Sequence, residues 1–79
     1  LDVLDPSEAP AVADPEMNGL RLREIMKVIH GLRGLNLMGA DIVCYCPPLD
    51  NPSQQTGITS AFLLYEFVTL IADRHFGKA

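Results

Sequence analysis

Seventy-nine residues suffice for one small domain, and a chain of that size buries only about 60 % of its unfolded surface. This one is nevertheless 48 % hydrophobic and only 20 % charged, too apolar for a unit that must cover its own surface, so both ends are expected to be buried in a larger body. The net charge of −4 and the scatter of its 6 basic residues exclude the electrostatic footprint of a nucleic-acid binder.

The two cysteines, Cys44 and Cys46, stand one residue apart. They close no useful loop and make no disulfide framework, which fits a reducing, intracellular setting. No uncharged apolar run of about 18 residues occurs, so no transmembrane helix is expected; the longest apolar stretch, 61–72, is broken by Glu66. The N-terminus lacks a basic region followed by an apolar core, so it is no signal peptide. It opens on Leu1 within an apolar–acidic pattern and reads as a cut or incomplete chain.

Residues 1–4 read as the tail of a strand. Asp5-Pro6-Ser7 breaks it, because proline fixes φ and lacks a ladder donor. Residues 6–19 have the composition of an ordered loop, with Pro6, Pro10, Pro15, Asn18 and Gly19. Ala9, Ala11, Val12 and Ala13 are small enough to lie against a surface. Residues 20–32 form a first helix, with Leu22, Ile25, Met26, Ile29 and Leu32 on one apolar face. Glu24 suits its first turn, and Gly31 and Gly34 mark its end. Arg21 offers no cap, so Asn18 is the alternative. Residues 36–46 are apolar on both faces and too short for an independent helix, which predicts a buried parallel strand. Pro47-Pro48 stops it. A polar loop over 47–57 follows, and Thr56 is placed to cap a final helix over 57–75. That helix is apolar almost all round and is expected to pack on more than one side.

The order is strand end, loop, helix, strand, loop, helix: part of an α/β domain with a parallel sheet, whose other strands would precede Leu1. Residues 1–79 then belong to a single domain, without internal repeats or low-complexity tracts.

The strongest chemical signal lies at the start. Asp2, Pro6, Pro10, Ala11 and Gly19 keep a fixed spacing over nineteen residues. The pattern resembles a signature of the ureohydrolases, the family of arginase and agmatinase, whose first acid would stand just before Leu1. The resemblance continues through Gly19-Leu20 with Arg23-Glu24, Arg33-Gly34-Leu35-Asn36, Gly39-Ala40-Asp41-Ile42-Val43, Pro47-Pro48-Leu49-Asp50 and Leu63-Leu64-Tyr65-Glu66. It is nearer to agmatinase and guanidinobutyrase types than to arginase.

The resemblance implies the C-terminal part of a three-layer αβα fold with a parallel sheet. It implies a centre of two Mn²⁺ ions, a guanidino substrate such as agmatine or a guanidino acid, and release of urea and an amine. It makes Asp2 a metal ligand, its hard carboxylate oxygens suiting Mn²⁺; read without it, Asp2 is a turn or capping aspartate. Asp5 is read as a structural residue bonding the loop backbone, with a supporting role behind the metal ligand as the alternative. The partners implied are the rest of the parent chain and further copies, as a trimer or hexamer, with neither nucleic acid nor membrane. The location implied is cytoplasmic or mitochondrial.

The chain departs from the family at Cys44, which takes the place of a glutamate that pairs with the substrate guanidinium. Losing that charge-assisted bond costs roughly 1.5–3 kcal/mol. Cys44 is read either as a bland buried cysteine or, with Cys46 on the same strand face, as a nucleophile or soft-metal ligand. His30 and His75 are read as structural or solvent-facing, and Met17, Met26 and Met38 as packing residues. Three readings follow: a fragment of a manganese ureohydrolase, inactive alone; a non-catalytic ureohydrolase homologue with a structural or regulatory role; and a free small interaction domain.

Overall fold

The computed structural model describes residues 1–77. Helix α1 is Leu22–His30, helix α2 is Gln55–Ala72, and a short 3-10 turn, Pro47–Leu49, lies between them. A π turn, Asp73–Gly77, continues α2.

The start of α1 shows why it falls later than residue 20. Arg21 has an extended backbone, and its side chain has no acceptor to offer the first turn. Carboxylates supply the capping. Glu24 Oε1 accepts the Arg21 N–H at 2.8 Å, and Glu8 Oε1, from the loop, accepts the Leu22 N–H at 3.1 Å. The Arg21 guanidinium lies 3.7 Å from Glu8. Asn18 is not the cap; it sits in a turn at φ 60°. At the other end Gly31 donates to the carbonyls of Lys27 and Val28.

The expected strand over 36–46 is not formed, and the described residues contain no strand. A strand exists only through its ladder with a neighbour. Here a single antiparallel bridge joins Val12 to Tyr45. Its bonds run from Cys46 N–H to the Ala11 carbonyl at 2.8 Å and from Ala13 N–H to the Cys44 carbonyl at 3.2 Å. Cys44 itself, at φ 75°, leaves the extended region, and Met38 and Val43 stand exposed rather than buried. The strand tail at 1–4 is likewise reduced to one parallel bridge, Leu4 to Leu20.

Helix α2 begins two residues before Gly57. Thr56 is not its cap: fully buried, its Oγ1 accepts the Ala11 N–H at 3.0 Å. Asn51 Oδ1 takes the Gln55 N–H at 3.0 Å instead. Through Phe76 the helix runs 22 residues at mean hydropathy 1.2, long and apolar enough by length and composition to cross a membrane. The expectation of none rested on an unbroken apolar run. Thr59, Leu63 and Leu70 are buried and Glu66 Oε1 meets His30 Nε2 of α1 at 3.0 Å, while most of the helix surface is exposed.

The core joins Leu4 of the opening segment and Ala9 and Val12 of the loop to Ile29 of α1 and Leu63 and Leu70 of α2. Of the small loop residues, Ala9, Ala11 and Val12 are buried as their size predicts, whereas Ala13 is exposed. The chain is extended for its length: the radius of gyration is 13.5 Å, against about 12 Å for a self-contained domain of this size.

Candidate metal site and its supports

Asp2 sits in a turn that the Leu4 N–H closes on the Leu1 carbonyl at 3.0 Å. Its Oδ1 is buried and has no hydrogen-bond partner. Burying a carboxylate oxygen unpaired is expensive, so an atom of this kind calls for a partner, and a cation answers the need. The described residues hold no group of three or more His, Cys, Asp or Glu side chains able to bind a metal. Asp2 is therefore at most one ligand of a site completed by other residues.

Asp5 has no free capacity of that kind. Its Oδ2 accepts the Ser7 hydroxyl at 2.7 Å and the Ser7 N–H at 2.9 Å, and its Oδ1 accepts the Gly19 N–H at 3.0 Å. These bonds, the Ser7 hydroxyl first, hold its carboxyl below the ordinary 3.8. Backbone bonds from Asp5 to Leu20 and from Leu20 to Val3 complete the closure. Asp5 thus ties the two ends of the signature loop together. Gly19 belongs to the same closure, because an added Cβ would lie 2.7 Å from the Asp5 nitrogen.

The structure brings the opening residues beside the segment that carries Cys44: the Leu1 amine lies 3.4 Å from the Val43 carbonyl. Cys44 is exposed and free, and Cys46 is half-buried and free. The expectation of a bland buried Cys44 is corrected by its exposure, and the alternative of a strand face shared with Cys46 is corrected because φ 75° turns the backbone out of the strand. Next to this region lies an apolar cleft of about 250 Å³, lined by Leu1, Val3, Ile25, Val28, Ile42 and Phe67 among others.

The cluster that sequence reading missed is centred on Asp50. Its Oδ1 accepts the N–H groups of Asn51 and Thr56, each at 3.0 Å. Its Oδ2 accepts the Gly57 N–H at 3.0 Å and the Tyr45 hydroxyl at 2.9 Å. Burial pushes the Asp50 carboxyl up, but the N–H groups of Thr56 and Gly57 and the hydroxyls of Tyr45 and Thr56 outweigh it and hold the pKa at about 2. The same hydrogen bond to Asp50 raises the Tyr45 phenol above its ordinary value. An acid a few residues before a predicted helix was the available signal; Thr56 drew the assignment because it is the residue type next to the helix. His30 is half-exposed beside Glu66, and His75 Nε2 lies 3.3 Å from the Leu37 carbonyl.

The pattern of the arginase family matches residues 1–69, and the chain belongs to that family. Guanidinopropionase of Pseudomonas aeruginosa is 38 % identical over 73 residues, which are 92 % of this chain and 23 % of that protein. The X-ray structure of a hypothetical agmatinase from Burkholderia thailandensis superposes with a TM-score of 0.85 at 36 % identity, covering 92 % of this chain and 23 % of the other. A triple mutant of the T. brucei arginase-like protein, bound with Mn²⁺, superposes with a TM-score of 0.72 at 33 % identity, covering 89 % and 25 %. The chain spans a quarter or less of each of these proteins, and the likeness places it within their α/β fold.

Proposed function

We propose that this chain is part of a manganese-dependent ureohydrolase that hydrolyses a guanidino compound of the agmatine or guanidino-acid type to urea and an amine. The observation that carries the reading is the buried, unpartnered Oδ1 of Asp2, at the position where the signature demands a metal ligand. A hard carboxylate oxygen is the donor Mn²⁺ prefers. The chemistry that two manganese ions supply when bound is a hydroxide nucleophile near neutral pH.

This chain's own residues orient and shape. Asp2 offers its oxygen, and Asp5 and Gly19 fix the turn that presents it. Position 44 faces the guanidinium, with a thiol where a carboxylate would pair with it. A single ligand cannot hold two ions, so these residues alone are inactive, and the rest of the parent chain completes the site. The parent assembles as a trimer or hexamer, which sedimentation of the intact protein measures.

A second reading is favoured by the thiol of Cys44 at the place of the family's guanidinium-pairing glutamate: a homologue that keeps the fold and has lost catalysis. The deciding assay is urea release by the intact parent with manganese, on agmatine, guanidinobutyrate, guanidinopropionate and arginine, beside a Cys44→Glu variant. Turnover of one substrate by the unmodified protein establishes the enzyme. Silence across the panel, with activity only in the variant, gives the lead to the non-catalytic reading. Removing the metal ligand supplies an independent check: Asp2→Asn is expected to lower manganese content at least tenfold, in line with the cost of disturbing metal-site residues.

A further inference from the structure

We infer that Tyr45, Asp50 and Gly57 form a positioning latch that holds residue 44 in its left-handed backbone conformation, and so sets how the side chain there meets substrate. The inference rests on the reading of position 44 as guanidinium-facing.

Cys44 has φ 75°. A residue with a Cβ keeps such a conformation only where its surroundings over-determine it, and such residues gather at functional sites. The surroundings here are specific. On one side, the Cys44 carbonyl accepts the Ala13 N–H at 3.2 Å, and the Cys46 N–H donates to the Ala11 carbonyl at 2.8 Å. Ala11 is anchored in turn, its own N–H donating to Thr56 Oγ1 at 3.0 Å.

On the other side, the Tyr45 hydroxyl donates to Asp50 Oδ2 at 2.9 Å. That same oxygen takes the Gly57 N–H at 3.0 Å. The hydroxyl occupies the space beside Gly57 so closely that a Cβ there would lie 2.7 Å from it. The residue after Cys44 is therefore held from both the loop and the first turn of α2. Both anchors lie C-terminal to or across from residue 44, and its positive φ lets the backbone satisfy both. Phenylalanine at position 45 would keep the ring and lose only the anchor.

The test uses the intact parent protein and thermal melting of Cys44→Gly and Cys44→Ala, each made with Tyr45 and with Tyr45→Phe. In ordinary conformations glycine is the less stable of the two. At a left-handed position the order inverts, so with Tyr45 the glycine variant is expected to melt higher, by about 2 °C or more. With Tyr45→Phe that advantage is expected to fall to half or less. An alanine variant as stable as the glycine one overturns the inference, and so does a glycine advantage that Tyr45→Phe leaves untouched.

Two further readouts separate positioning from mere support. Alkylation of Cys44 by iodoacetamide, followed on its own peptide by mass spectrometry, is expected to change about threefold or more in Tyr45→Phe, as a reoriented thiol would. Where the parent turns over a guanidino compound, Tyr45→Phe is expected to raise KM about threefold or more with kcat altered less than twofold; unchanged KM overturns the positioning role and leaves the enzyme standing. Melting and alkylation as expected, with no turnover of any guanidino compound, overturns the functional reading and the substrate half of the inference, while the latch on the backbone stands.

Discussion

A methyl group at position 19 has nowhere to go. It would meet the Asp5 nitrogen at 2.7 Å and the Leu4 carbonyl carbon at 2.8 Å, and neither is the yielding tip of a side chain. Gly19→Ala is therefore expected to cost about 1–3 kcal/mol or more, the range for forcing backbone apart in a packed site. Denaturant unfolding of Gly19→Ala beside the wild-type intact protein measures the loss.

Asp50 makes the second residue-scale prediction. Its carboxyl stands at about 2 instead of 3.8, so the folded state favours the charged form. Its contribution to stability is complete above the unfolded value and is lost as pH falls from about 4 through about 2. Asp5 is lowered as well and acts in the same direction. The gap in unfolding midpoint between the wild type and Asp50→Asn is expected to be widest at pH 6 and to narrow at pH 2.5. A gap independent of pH would remove the charged acceptor from the explanation. The spacing of Asp2 with Pro6, Pro10, Ala11 and Gly19 was legible in the sequence because spacing survives without coordinates, and the metal role it suggests is the proposal made above. The orphaned oxygen of Asp2 was not legible, nor was the Tyr45–Asp50 bond, because each depends on which groups fail or manage to meet in space.

Among the elements, the two helices were legible and the strand was not, for one physical reason. A helix satisfies its backbone within itself, so the 3.6-residue pattern of Leu22, Ile25, Met26 and Ile29 carries most of the information. A strand borrows its partners, and residues 36–46 find only Val12 to pair with Tyr45. Cap assignments failed at both helices because the acceptors are not the residues beside the first turn: Glu8 reaches Leu22 across the loop, and Asn51 takes the Gln55 N–H while Thr56 faces Ala11. That contact gives an element-scale prediction. Thr56→Val keeps the shape and leaves the Ala11 N–H buried without a partner, at a cost of about 1–3 kcal/mol. Thr56→Ser keeps the oxygen and is expected to restore most of that loss in the same unfolding measurement. Equal losses in the two variants would mean that the methyl packing, and not the hydrogen bond, ties the loop to α2.

At the scale of the whole molecule, the apolar excess seen in the composition has become geography. Ile58, Phe62, Tyr65 and Val68 recur on the exposed side of α2, while only Thr56, Thr59, Leu63 and Leu70 of that helix are buried. Val28 and Val43 add exposed apolar surface on α1 and on the segment before Tyr45. Exposed apolar side chains in this number mark surface that meets another body, and under the proposed function that body is the rest of the parent chain and its neighbouring copies. The elongated form, 40 × 22 × 18 Å, agrees, since a chain that cannot close on itself stays extended. Cooperative unfolding requires a core whose parts depend on one another, and here the core is a thin seam between the loop and two helices. The isolated 79 residues are therefore expected to bind a hydrophobic dye strongly, to lose their helical signal gradually on heating, and to release no urea from any guanidino compound. The same residues within the intact parent are expected to melt in one sharp transition. A sharp melt and a well-dispersed NMR spectrum from the isolated monomer would return the chain to the third reading, a small interaction domain that folds alone, and the exposed face of α2 would then be that domain's own docking surface.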